Sequence, residues 1–238
     1  TTTPTNLAAT VFHLESPQVP GGFVGELAHG GGSGNGVSVL TGSLVEIGAQ
    51  IGDLALVAGI VHGSTPDMEI AGGASWTKIA EFDCARSPSS AGKAFVWAGH
   101  LNEINQIAIT KSGAVRGGIM GVAVFRGMTI GSPDSVAVAG STTSVAAITA
   151  SGAIRPSDNS PLVGFAIREG TTPFGEALDT GSEAKPIIGF CNNSSADEYN
   201  LAILIGPAES GPAGGASAMT ARPTHSSSAS MGICLIAL

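Results

Sequence analysis

Arg116-Gly117-Gly118-Ile119-Met120-Gly121-Val122-Ala123-Val124-Phe125-Arg126-Gly127 is the stretch that decides the fold. Through its centre both alternating faces are apolar and glycine brackets each end, which suits a strand covered on both sides. A second copy closes the chain. Met120-Gly121-Val122-Ala123-Val124-Phe125 is echoed by Met231-Gly232-Ile233-Cys234-Leu235-Ile236, a shift of 111 residues (231 − 120).

Working outward from this pair, short apolar runs separated by Gly, Pro, Ser and Asn fill the chain from Val37 onward, with no sustained period of 3.6. The spacing predicts strands over 37–47, 53–62, 76–84, 93–101, 104–111, 116–126, 134–139, 143–150, 161–168, 185–191, 199–206, 215–221 and 229–238. The fold class expected is all-β. Three further matches follow the same order: Leu54 with Leu162 (162 − 54 = 108), Phe82 with Phe190 (190 − 82 = 108) and Gly99 with Gly206 (206 − 99 = 107). Nearly constant offsets point to two similar β units, roughly 37–127 and 150–238, joined near 128–160. Each unit has few strands with which to cover its own apolar face, so the expectation is one half's sheet packed on the other's. That makes a single β-sandwich domain over 37–238.

Residues 1–36 read differently. Pro4, Pro17 and Pro20 and one apolar patch at Ala8–Leu14 predict an extended N-terminal arm with room for one edge strand, able to reach a neighbouring subunit. His29–Gly36 (HGGGSGNG) reads as a glycine-rich loop without GxGxxG spacing or a Walker lysine, so phosphate cradling is disfavoured. Thr1 fits removal of an initiator Met before a small residue, which gives a whole gene product as the expectation and a processed precursor as the other reading.

Composition narrows the partners. Of 238 residues only 12% are charged and 5% aromatic, while 43% are hydrophobic, so a buried core is affordable and wholesale disorder is excluded. A net charge of −8 with ten unclustered Lys and Arg argues against nucleic acid and against an anionic membrane surface. No apolar run approaches the ~18 residues of a membrane span, so no membrane insertion is expected. Cys84, Cys191 and Cys234 are odd in number and sit within apolar runs, which favours buried free thiols over disulfides or a metal site.

Candidate sites are few. His62 and Asp67 are near each other and a Ser brought to them in space would complete a triad, but no serine has glycine at both −2 and +2, so a nucleophile elbow is missing. His13, His29, His62, His100 and His225 are scattered, without HxH or HExxH spacing, and no transition-metal site or cofactor is expected. Asp67-Met68-Glu69 and Asp197-Glu198 read as solvated turn clusters, with a Ca²⁺ site as the alternative. Trp97 lies inside an apolar strand and reads as core. Trp76 follows Gly-Gly-Ala-Ser and reads as a structural corner, with ligand stacking as the alternative. Residues 170–184 and 207–215 read as long display loops. Phe174, stranded in the first of these, reads either as a contact to a neighbouring subunit or as a cover for the sandwich edge.

At Gly52–Val57 (GDLALV), Trp76-Thr77-Lys78, Ala94-Phe95-Val96-Trp97, Val122–Gly127 (VAVFRG) and Gly232–Leu238 (GICLIAL) the chain resembles a broad group of jelly-roll-like β-sandwich proteins of tailed bacteriophages and prophages. Ala74-Ser75-Trp76 stands where that group has Pro-Gly-Trp, and Val124-Phe125-Arg126 where it has Ala-Tyr-Arg. The resemblance implies a jelly-roll-like sandwich and a non-enzymatic virion protein: a head decoration, head fibre or tail fibre component. By the same resemblance it would be made in the host cytoplasm and carried on the particle's exterior. The expected partners are copies of the same chain, a trimer being one form, and virion proteins such as major capsid or tail proteins. A carbohydrate-binding module recognising a host surface glycan is the first alternative. An esterase or polysaccharide depolymerase is the second.

Overall fold

The computed structural model describes residues 22–31, 34–35, 38–63, 68–84, 93–111, 114–158, 160–170, 174–179, 184–185, 187–193, 199–206, 212–223 and 229–238. Among these residues the chain is all-β, with two 3-10 turns, Val45–Ile47 and Pro133–Ser135, and no α-helix. The first half contributes β1 (Phe23–Gly31), β2 (Gly34–Asn35), β3 (Ser38–Ser43), β4 (Leu54–Gly63), β5 (Glu69–Ala71), β6 (Thr77–Asp83), β7 (Lys93–His100), β8 (Gln106–Lys111) and β9 (Ala114–Phe125). The second contributes β10 (Val136–Val145), β11 (Ile148–Ile154), β12 (Leu162–Glu169), β13 (Phe174–Asp179), β14 (Ala184–Lys185), β15 (Ile187–Asn193), β16 (Tyr199–Gly206), β17 (Ala216–Pro223) and β18 (Ala229–Ala237).

Every described ladder is antiparallel and stays within its own half. The first half forms a large sheet in the order β1-β9-β4-β7-β6 and a small one in the order β3-β8-β5. The second forms a large sheet, β10-β18-β12-β16-β15, and a small one, β11-β17-β13-β14. With the two-residue β2 and β14 left out, both halves read 1-8-3-6-5 in the large sheet and 2-7-4 in the small, a jelly-roll-like strand order.

The four sheets stack as four layers with three apolar cores. In β4, Leu54, Leu56, Ala58 and Ile60 enter a central core between the two large sheets, where Val163, Phe165 and Ile167 of β12 and Leu201, Ile203 and Ile205 of β16 meet them. The alternating Ala55 and Val57 turn to an outer core with Ile107 and Ile109 of the small sheet. The second half repeats this, Leu162 and Ala166 facing Ala150, Met219 and Ala221. The inter-half sheet packing expected from the sequence is therefore present. To that sandwich the structure adds an outer sheet on each side, because strands apolar on both parities need a layer on each face and each half supplies its own.

Glycine lets the large sheets approach. A Cβ on Gly121 of β9 would lie 2.7 Å from Leu201 Cδ2, and one on Gly232 of β18 would lie 2.1 Å from Phe82 Cδ2. The edges of the two sheets also match, β1 lying over β15 and β6 over β10. First-strand edge thus meets fifth-strand edge on both sides, the pattern of an isologous contact.

Three elements depart from the sequence reading. Phe23–Gly31 is an edge strand paired with β9 over most of its length, so part of the expected arm and glycine loop belongs to the first large sheet. The physical reason is cover on both faces: Phe23 and Ala28 pack toward the central core while Val24 and Leu27 pack toward the outer one. The expected loop 170–184 contains β13, which pairs with β17. Finally, the Leu54 and Leu162 match is one residue out of register. Leu54 faces the central core and Leu162 the outer one, and Val163 shares Leu54's place opposite the ends of β9 and β18.

Candidate functional site

Two of the resemblance segments, Gly52–Val57 and Val122–Gly127, meet at one corner of the first half. Asp53 precedes β4 and Arg126 follows β9, and the pairing of Leu54 with Phe125 brings them side by side. Arg126 donates from Nε to Asp53 Oδ1 and from Nη2 to Oδ2, each at 3.0 Å, and Nη2 also donates to the Gly48 carbonyl at 3.3 Å. The Gln50 amide donates to Asp53 Oδ2 at 2.8 Å. Asp53 is buried while the Arg126 side chain is 48% exposed, so the carboxylate is held inside a fork whose other side faces water. The carboxylate raises the Arg126 guanidinium above its ordinary pKa, chiefly by hydrogen bonding. This geometry positions backbone: it ties the turn before β4 to the end of β9.

Trp76 stands at a second corner. Its Nε1 donates to the Gly72 carbonyl at 2.7 Å, its ring is half-buried on the first outer core, and Ala74 bridges to Leu101 beside it. The hydrogen bond and the packing of the ring's buried part fit a structural corner, and the rest of the ring is exposed. Trp97 is buried in the same core, stacked on Phe95 at 5.9 Å between centroids. Phe174 is 4% exposed and lies in the second outer core among Leu204, Met219 and Ala221, covering the sandwich.

Two clefts are open on the described surface. One, about 550 Å³, runs between β6, β7 and the inter-half connection, with Leu54, Ile79, Ala98, Ile130 and Val136 on its apolar side and Lys78, His100 and Thr129 at its rim. The other, about 590 Å³, is a shallow hollow beside the Asp53 and Arg126 corner, lined by Gly22, Phe23, Val24, Ile47, Gly48 and Arg126. His100 Nδ1 sits 3.2 Å from the Gly52 carbonyl, a contact within its own corner.

Among the described residues no group of three or more His, Cys, Asp or Glu is arranged to hold a metal, and no helix is long and apolar enough to cross a membrane. Cys84 and Cys234 are buried thiols outside any disulfide, and burial pushes both pKa values far up, which makes them poor nucleophiles. Asp67, Asp197, Glu198, His13 and His225 lie outside the described residues, as do the side chains of His29, His62 and Cys191. No protein-family model, curated protein or solved structure matches this chain.

What sequence reasoning missed is the direct pairing of Asp53 with Arg126. Its signal was present, an acid before one central strand and a base after another, in GDLALV and VFRG. The other missed groups are Arg168 and Asn200, buried and adjacent across β12 and β16; Asn200 Nδ2 donates to the Gly170 carbonyl. Burial lowers the Arg168 pKa. They looked like strand-end polar residues because alternation alone does not reveal that a second sheet covers them.

Proposed function

We propose that this chain is a structural protein of a tailed-bacteriophage virion, an exterior decoration or fibre component that acts by protein binding rather than catalysis. The observation that carries the reading is that the residues of the phage-type pattern serve as fold-building parts. Gly52-Asp53 and Arg126 clamp a corner, Trp76 closes another, and Ala94–Trp97 and Val122–Phe125 fill buried strands. A pattern that specifies a scaffold while leaving the surface free suits a module carried on particles, whose partner contacts lie on edges and loops. In this reading the protein is a homo-oligomer on the outside of the particle, bound to capsid or tail protein, and two duplicated jelly-roll units supply its rigidity.

Adding the purified protein to phage particles that lack it, followed by imaging, tests the proposal. Regular occupancy of head or tail positions is expected. Protein that ignores particles overturns the virion role. A second reading, a glycan-binding module, is favoured by the cleft whose wall includes Ser75 and Thr77, the neighbours of Trp76. A glycan array would then show binding that Trp76→Ala removes.

A further inference from the structure

Strand edges are where a β protein meets partners, and folded proteins blunt the edges they do not use with charge, proline, bulges or shortness. Most described edges here are blunted. In the large sheets, β1 carries Glu26 and a bulge between Phe23 and Gly25, and β15 is bulged between Ile187 and Gly189. In the small sheets β5 and β14 span three and two residues, and β11 is bulged around Gly152, whose φ is +99°.

β10 differs. From Val136 to Ser141 its ladder with β18 is regular and contains no charge and no proline, and only beyond Ser141 does the register shift. There Ser141 Oγ accepts from the Thr143 amide at 3.3 Å, which ends the open edge. Val138, in the middle, is 46% exposed and is one of three large hydrophobic residues exposed among the described residues. β3 also lacks charge, but it edges a three-stranded outer layer, whereas β10 lies directly beside β6 of the other large sheet.

That neighbour completes a surface. Gly140 brings β10 against β6 so closely that a Cβ there would stand 2.5 Å from the Asp83 carbonyl oxygen, so the two edges run together along one side of the molecule. β6 is charged but balanced: Glu81 accepts from Lys78 at 3.0 Å and from Lys93 at 3.1 Å, and Asp83 pairs across the ladder with Lys93. A chain of net charge −8 repels its own copies, and on this side β10 carries no charge while β6 with Lys93 carries two charges of each sign.

We infer that the β6 and β10 side is a homodimer interface, in which β10 of one chain pairs antiparallel with β10 of a second copy about a two-fold axis. An antiparallel edge pair is its own complement and closes after two chains, and it joins the two five-stranded sheets of the second halves into one sheet of ten. Each copy then brings Lys78, Glu81 and Asp83 of β6 and Lys93 of β7 to this side, two bases and two acids. This inference deepens the oligomer part of the proposed function and does not require the virion role.

Light scattering on the purified full chain reads the outcome. The expected mass is twice the 23.4 kDa of one chain. Val138→Lys is expected to weaken association by more than about tenfold, while Val45→Lys, at an exposed apolar residue on the far corner, leaves it unchanged. A monomer or a trimer for the unmodified chain overturns the inference, as does a dimer that survives Val138→Lys or is broken by Val45→Lys. Should Val138→Lys not fold, hydrogen exchange on the unmodified protein decides: amides of Val136–Ser141 become more protected as concentration rises if the edge pairs, and stay constant if it does not. A dimer with this signature that ignores phage particles leaves the interface standing and removes only the virion role.

Discussion

The two halves share a strand order and differ in polarity at matched positions. Where β9 and β4 end, the first half carries the Arg126 and Asp53 pair; at the matching step of β18 and β12 the second half carries Ala237 and Leu162, both fully buried. The reverse holds at the other end of the same strands. Met120, Gly59 and Phe95 stand in one row across β9, β4 and β7, and the corresponding row across β18, β12 and β16 is Met231, Arg168 and Asn200. One architecture therefore accepts an ion pair or an apolar pair at one corner, and glycine with phenylalanine or arginine with asparagine in one core row. The polar versions are held unequally: Asp53 has its full fork, whereas Asn200 has the Gly170 carbonyl for Nδ2 and, among the described residues, no hydrogen-bond partner for its buried Oδ1, and the apolar versions pack among neighbours.

The comparison is broken most severely in the shared strands. Val122→Asp puts an unpaired charge in the first outer core, and Ile233→Asp does the same at the matching place in the second. Each is expected to cost on the order of 4 kcal/mol or more. Because both halves share the central core, each should abolish soluble folding of the whole chain, as read by circular dichroism and size exclusion. A variant in which one half stays folded would show that the halves are independent.

Next come the glycines that let the large sheets meet. Gly232→Ala and Gly121→Ala are expected to destabilise by about 1–3 kcal/mol through overpacking. Gly232→Ala should be the worse, because its Cβ meets the Asp83 backbone oxygen at 2.7 Å as well as Phe82, whereas Gly121 faces only the movable tips of Leu201 and Ile203. Urea denaturation midpoints of the two variants check the order.

The corner swap gives a smaller effect. Asp53→Ala removes the acceptor of the Gln50 amide and of the Arg126 fork and should cost about 2 kcal/mol. Asp53→Leu combined with Arg126→Ala transplants the second half's solution and should be more stable than Asp53→Ala alone. If the double variant is no better, the ion pair is specific to the first half's turn.

The smallest effect lies at Glu81, whose carboxyl is held below its ordinary pKa first by the hydrogen bond from Lys78 and then by that from Lys93. A carboxyl with a depressed folded pKa contributes stability above its unfolded pKa near 4.5 and loses it as pH falls through the folded value. The group is 43% exposed and screened, so Glu81→Gln should cost under about 0.5 kcal/mol at neutral pH and less at pH 3. Thermal melts at both pH values check the sign.

Much of this was legible in the sequence, for a definite reason. Runs such as Leu54–Ile60 and Ile119–Phe125 state their own secondary structure through turn residues at their ends and β-branched or apolar residues of both parities between them. The echo between Met120–Phe125 and Met231–Ile236 falls on matching faces, because Met120 and Met231 both turn outward and Gly121 and Gly232 both turn to the other half. β1 was obscured because its glycines resemble a loop and only β9 beside it supplies the hydrogen bonds. β13 was hidden in the same way, in a run of small residues whose strand pairing comes from β17.

The sequence by itself determined the all-β class and most of the strands, since these depend on local pattern; the Asp53 and Arg126 corner needed the pairing of β4 with β9. Only the tertiary structure decided that there are four layers and three cores, that Phe174 is covered, that Arg168 and Asn200 are buried, and that β10 edges its sheet beside β6. Those facts depend on which surfaces meet across long separations in the chain. A period of two tells which side chains share a face; it says nothing of what covers that face.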